Sequence, residues 1–163
     1  VELVIVVTII GIVAAMALPM FGQTHSSRIR AAADLISADI GYVQVDAIAH
    51  ADDPRQLVLD TENGAYMLTA ASAPDTPLTN PIGGIPYLTQ FGVGRAKALS
   101  GVTIASATMG DDNRIQFGSF GQLDQAETAY ITLASNDTWV MLAIDSVSGE
   151  VTIGQLNEDL TTE

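Results

Sequence analysis

From position 3 to position 21 the chain reads LVIVVTIIGIVAAMALPMF, nineteen residues broken only by Thr8, Gly11 and Pro19. No Asp, Glu, Lys or Arg lies between Glu2 and Arg28. A helix rising about 1.5 Å per residue over that length nearly matches a hydrocarbon layer on the order of 30 Å thick. Apolar residues fall on every side of it, so the segment has no face to offer to water. It belongs in lipid, or in something that replaces lipid.

Four readings of this segment place different demands on the residues. A cleaved secretory signal needs a basic start, a shorter apolar stretch and a small-x-small exit. Ala15-Met16-Ala17 imitates the exit, but Glu2 has the wrong sign for the start. A single-span anchor fits the length and leaves the acid unexplained. A core helix of a soluble domain would need a polar side. A helix that leaves the membrane to pack against copies of itself gives the carboxylate of Glu2 a reason, because a buried acid needs a cationic partner.

After the polar stretch 22–27, helical periodicity resumes. Ile29, Ala33, Ile36, Ile40, Val43 and Ala47 recur at intervals of three and four, while Arg28, Arg30, Asp34, Ser37 and Gln44 fall elsewhere on the wheel. The pattern predicts a helix to about residue 51, stopped by Asp52-Asp53-Pro54, since a pre-proline residue disfavours the α region. Beyond Pro54 the period becomes two. Residues 56–60 and 65–70 form a predicted hairpin around Thr61-Glu62-Asn63-Gly64, where Asn-Gly tolerates the positive φ of tight turns. Residues 71–86, with four prolines and two adjacent glycines, read as a loop. Short strands follow at 87–91, 102–107, 114–117, 128–134, 139–145 and 150–153.

The predicted organisation is an apolar helix over 1–27, an amphipathic helix half over 28–53, an antiparallel β domain over 54–155 and an acidic, fraying tail over 156–163. The fold class is α+β: a long protruding N-terminal helix packed by its C-terminal half on an antiparallel sheet or sandwich. With 163 residues there is room for one core beyond the apolar run. Nineteen acidic against six basic side chains give a net charge of −13, which repels polyphosphate and makes nucleic acid a poor partner. The absence of cysteine excludes a disulfide framework and a thiolate metal site.

The string Val1-Glu2-Leu3-Val4-Ile5-Val6-Val7-Thr8-Ile9-Ile10-Gly11-Ile12-Val13-Ala14-Ala15 resembles the N-terminus of mature type IV pilins and type II secretion pseudopilins. Members of that family typically begin with Phe-Thr-Leu before this pattern, so the chain as given looks three residues short of the mature start. The resemblance implies removal of a short basic leader by a prepilin peptidase, methylation of the new N-terminus, and a filament of this chain and related pilins as the product. It also implies roles for three residues. Glu2 matches the glutamate that meets a neighbouring subunit's N-terminal amine. Gly11 and Pro19 match the glycine and proline that bracket a stretch able to lose its helical form. The physical chemistry agrees. Proline in a helix interior costs about 3 kcal/mol and glycine roughly 1 kcal/mol relative to alanine. For Glu2 a simpler role stands beside this one, a carboxylate well placed near a helix N-terminus. The later strands, with the glycines of Phe117-Gly118-Ser119-Phe120-Gly121 and Ser148-Gly149-Glu150, look like the C-terminal part of GspH/FimT-type pseudopilins.

Candidate chemistry is sparse. His25 and His50 are too far apart for a helical metal pair and read as solvated surface residues. Neither a His-x-x-x-His nor a Gly-x-Ser-x-Gly pattern occurs, and Gly92-Val93-Gly94 reads as a turn. Asp111-Asp112-Asn113 and Asp145-x-x-Ser148-Gly149-Glu150 offer oxygen ligands for calcium, though turn formation explains both. Trp139 reads as core. No cofactor and no catalytic residue is expected. The sequence thus points to a structural filament subunit that is held in the inner membrane before assembly and is extracellular or periplasmic afterwards. The rival reading is a tethered extracytoplasmic β domain that binds a ligand or acts as an enzyme.

Overall fold

The computed structural model describes residues 6–7, 19–81, 83–110 and 112–158, with side chains from His25 onward in the helix that opens the main body. That helix, α1, covers Pro19–Ala49 and runs unbroken through the polar stretch 22–27. The chain then turns over 50–53, where the amide of Asp53 donates to the carbonyl of His50 at 3.0 Å.

Among the described residues ten strands follow: β1 (Arg55–Asp60), β2 (Ala65–Ala70), β3 (Ala73–Pro77), β4 (Leu88–Gln90), β5 (Thr103–Thr108), β6 (Arg114–Phe117), β7 (Ala129–Ser135), β8 (Thr138–Ile144), β9 (Val151–Ile153) and β10 (Asn157–Glu158). A 3-10 segment, Gly94–Leu99, separates β4 from β5. The strands form two five-stranded sheets in which every pairing is antiparallel. The first has the order β3-β2-β1-β6, with β4 sharing the outer edge of β2. The second has the order β10-β8-β7-β5, with β9 sharing the outer edge of β8.

Turn chemistry sets the register of the first hairpin. The Asp60 carboxylate accepts hydrogen bonds from the Asn63 amide at 3.1 Å and from Asn63 Nδ2 at 2.7 Å, and Gly64 takes φ +58°. Leu57 then lies opposite Leu68, and Leu59 opposite Tyr66. In the second sheet Leu133 pairs with Val140, Ile131 with Leu142 and Ala129 with Ile144, all buried. Period-two alternation turns Trp139 the other way, so it is half-buried where the sequence placed it in the core.

One apolar core joins α1 to both sheets. The helix supplies Ile29, Ala32, Ala33, Ile36, Ile40, Val43 and Ala47, each without solvent exposure. Burying one such isoleucine contributes roughly 1.5–3 kcal/mol. The expected stripe is therefore the surface on which the sheets pack, and the α+β class holds. The proline-rich segment read as a loop contains an edge strand, β3. The segment read as a fraying tail contributes β10, whose Asn157 pairs with Trp139.

Candidate assembly helix and its seat

Two of the three expected assembly residues, Glu2 and Gly11, lie outside the described residues, as do Asp111 and the last five positions of the acidic tail. Pro19 is the first residue of α1 as described. Within the apolar run, Val6 and Val7 are helical and more than half exposed. Among the described residues no helix is long and apolar enough to cross a membrane, and no cluster of His, Cys, Asp or Glu could hold a metal ion.

What the structure does show is how the helix is seated. On the side facing the first sheet, Asp39 occupies a position within the apolar stripe, only 6% exposed. Its carboxylate accepts a hydrogen bond from the Tyr66 hydroxyl at 2.7 Å and pairs with the Arg95 guanidinium, whose Nη1 lies 3.2 Å from Oδ1. Arg95 Nε in turn donates to the buried Thr89 hydroxyl at 2.8 Å. Burial, then the adjacent Asp39 charge, push the Tyr66 phenol well above its ordinary range. Tyr42, one turn further along α1, stacks on Tyr87 with ring centroids 4.6 Å apart, and the Arg95 guanidinium lies 5.7 Å from the centroid of Tyr87.

One turn beyond, Asp46 pairs with the buried Arg55 at the start of β1. Arg55 Nη1 also reaches the Asp53 carboxylate at 3.0 Å and the Asp53 carbonyl at 2.8 Å. Asp53 itself accepts from the amide and hydroxyl of Ser72, which hold its carboxyl below the usual range, the amide foremost. The helix end, β1 and the β2–β3 turn are thus tied through one guanidinium and two carboxylates, those of Asp46 and Asp53.

The opposite flank of α1 meets the second sheet through backbone carbonyls. Arg30 donates to the carbonyl of Gly154 at 3.0 Å. Gln44 Nε2 donates to that of Gly149 at 2.7 Å and that of Gly121 at 3.3 Å. His25 is not a free surface residue. It is half-buried, with Ser135 Oγ 3.3 Å from Nδ1 and the side-chain amide of Asn136 3.1 Å from Nε2. The β7–β8 turn bearing Asn136, which adopts φ +51°, holds it there. His50 is exposed and bonds back to the carbonyl of Asp46 at 2.9 Å.

The two candidate calcium sequences serve as turns. Asp145 Oδ1 accepts from the amides of Val147 and Ser148 at 3.1 and 2.8 Å and from the Ser148 hydroxyl at 2.8 Å. Asp112 Oδ1 accepts from the amide of Arg114 at 3.2 Å. Gly92 lies in the turn that leads into the 3-10 segment and Gly94 is that segment's first residue, both at positive φ.

Sequence alone could not assemble this seat, but it carried one signal. Asp39 and Asp46 interrupt the apolar stripe at core-facing positions, and an acid there requires a cation brought from elsewhere in the chain.

No protein-family model matches the chain, and no curated protein matches it in sequence. Its architecture does have solved counterparts. The minor pseudopilin EpsH from the type 2 secretion system of Vibrio cholerae superposes with a TM-score of 0.56 at 9% identity, covering 78% of this chain and 96% of EpsH. The type IV minor pilin FimU of Pseudomonas aeruginosa superposes at 0.53 with 13% identity, covering 80% of this chain and 90% of FimU. A second crystal form of FimU gives 0.50 at 13% identity, over 77% and 92% of the two chains. The chain therefore has a type IV pilin and pseudopilin fold, a single helix laid across antiparallel sheets.

Proposed function

We propose that this chain is a structural subunit, pilin or pseudopilin, of a type IV pilus-like or type II secretion filament. The supporting observation is a contrast along one stretch of sequence. Past His25 the helix buries its apolar stripe in its own domain, whereas the run before it is apolar on every side, and its described members Val6 and Val7 are more than half exposed. That surface needs a cover, either lipid or the same segment of other subunits. Likeness to EpsH and FimU supports the second cover as the final one.

In this reading the subunit waits in the inner membrane after prepilin peptidase has acted. It then moves into a helical bundle that is extracellular or periplasmic. The bundle keeps the run dry. Glu2 offers its carboxylate to a neighbouring N-terminal amine, and that pairing makes burial of the acid tolerable. Gly11 and Pro19 mark the interval where the helix yields most readily during insertion. The role is mechanical and needs no cofactor. Pilus or secretion piston, adhesion or motility would follow from the machinery around it.

The test is Glu2→Ala in the full chain, with filaments counted by electron microscopy. Loss of filaments with the chain still membrane-inserted is the expected result. Unchanged filament yield would remove the carboxylate from the mechanism. A wild-type chain that stays monomeric in the bilayer would favour a tethered β domain instead.

A further inference from the structure

Two exposed apolar faces lie on opposite flanks of α1, and they differ in charge. The first is a cleft of about 370 Å³ beside β4. Ile85, Leu88 and Val93 line it, each more than half exposed, and Tyr87 and Arg95 form part of its wall. Among the described residues lining it, Arg95 is the only charged one. In a chain with nineteen acids and six bases, a cleft whose described lining holds a guanidinium and no carboxylate is a local inversion of charge. Asp39 offsets part of that charge from the buried side.

The second face lies where α1 ends. Gln44 gathers it, since its amide holds the carbonyls of Gly121 and Gly149 together. The loops so held carry Phe120, 86% exposed, and Val147, 80% exposed. The helix adds Val45 and Ile48, both more than half exposed, with Ile48 Cδ1 3.7 Å from the point where a Cβ on Gly121 would sit. Along the chain acids stand near these residues: Asp52 follows the helix, and Asp145 and Glu150 lie two positions before and three after Val147. The last turn of α1 holds no basic residue, so the negative end of the helix dipole adds to that charge. Patches of this kind on one small domain are more than the scatter of single apolar residues that any surface shows.

We infer that a second copy of this chain is the occupant of each face: the acidic apolar end of one domain docks on the guanidinium-walled cleft of the next. This rests on the filament reading above. Like-to-like contact would set acids against acids at one face and arginine against arginine at the other. Only the mixed contact joins opposite charge while burying apolar surface on both sides. Because the two faces are different surfaces, the contact is head-to-tail. It repeats from copy to copy instead of closing on itself as a two-fold dimer does. Their placement fits that geometry: Tyr42 marks the flank toward the cleft and Gln44 the flank toward the acidic end.

The chain has no native cysteine, which makes the test clean. Leu88→Cys and Ile48→Cys are introduced separately and together in the full-length protein, filaments are collected from the producing cells, and these are oxidised or treated with a short bis-maleimide. Both positions are exposed, so the fold is kept. A second pair, Ile85→Cys with Val147→Cys, guards against an unlucky sulfur geometry. The double variants should give ladders of dimers, trimers and higher species, each single variant only monomer, and a mixture of singles only dimer. Filaments present with no ladder from either pair would overturn the proposed contact while leaving the filament reading intact. Dimers from one single variant would show a like-to-like contact, and cross-links to a different protein in place of the ladder would remove the second copy as occupant. No wild-type filaments at all would sink the filament reading, and this contact with it.

Discussion

Arg95 reaches Asp39 across 56 positions of sequence and closes an ion pair against the buried face of α1. The pair fixes the 3-10 segment and β4 to the helix, with Tyr66 donating to the carboxylate and Thr89 accepting from the guanidinium. Asp39→Ala leaves Arg95 without its counter-charge and the Tyr66 hydroxyl without its acceptor. Because Arg95 is partly exposed and can recover some hydration, the expected loss is about 2–4 kcal/mol, toward the lower end for breaking a buried pair. Asp39→Ala combined with Arg95→Ala should cost less than the two single changes added together. Urea unfolding of the four proteins gives the coupling energy directly, and strict additivity would show that the two side chains do not act as a unit.

The helix stripe makes a sharper demand. Ile36 and Ile40 have no solvent exposure, whereas Val45 on the same helix is 68% exposed. Truncating either isoleucine to alanine should cost about 2–5 kcal/mol through lost transfer energy and the cavity left behind. Val45→Ala should stay within roughly 0.5 kcal/mol in the isolated protein. Comparable denaturation midpoints for all three variants would mean that the stripe is not what holds the helix to the sheets.

Glycine placement offers a second contrast. Gly149 sits at φ +67°, and a Cβ there would lie 1.9 Å from Gln44 Nε2 and 2.3 Å from the Gly121 carbonyl oxygen. Gly94 sits at φ +54° with nothing within 4 Å of the same point. Gly94→Ala should therefore cost only the left-handed backbone penalty, about 1 kcal/mol. Gly149→Ala must also push the backbone of one loop away from another and break the Gln44 clamp, so a loss of about 3 kcal/mol or more is expected. Thermal melts of the two variants side by side separate strain from collision.

Periodicity made α1 and the long strands readable, because one-sided burial writes its spacing into the chain. It failed where burial was not the cause. β3 contains Pro74 and Pro77, which read as loop yet sit on an edge, where a missing amide hydrogen need not break the ladder. The 3-10 segment is six residues long and is anchored by Arg95, a contact with no local trace in sequence. His25 looked solvated because its partners, Ser135 and Asn136, lie 110 and 111 positions away. The core stripe, the first hairpin and the turn at Asp145 were all written in neighbouring residues. The ties that seat the helix were not, beyond the hint of Asp39 and Asp46 standing among isoleucine, valine and alanine.

The acidic surface sets the last expectation. Asp145 has its carboxyl held below the usual range by the Ser148 amide and then its hydroxyl, and Asp60 by the side chain and then the amide of Asn63. In both cases the folded protein holds its proton less tightly than the unfolded chain, whose aspartates titrate near about 3.9. Above that value both states are ionised and the turn contributes its full stabilisation. As pH falls through the lowered folded value the unfolded chain takes up protons first, so the contribution is lost on the acid side. The urea midpoint should be level from about pH 7 to about pH 5 and fall steadily below about pH 4. Asp145→Asn keeps an acceptor oxygen in the turn but removes its titration. That variant should start less stable at neutral pH and lose less on acidification, narrowing the gap to wild type by about pH 2.5. Parallel curves for the two proteins would place the acid sensitivity elsewhere than in the turn that holds Gly149 against Gln44.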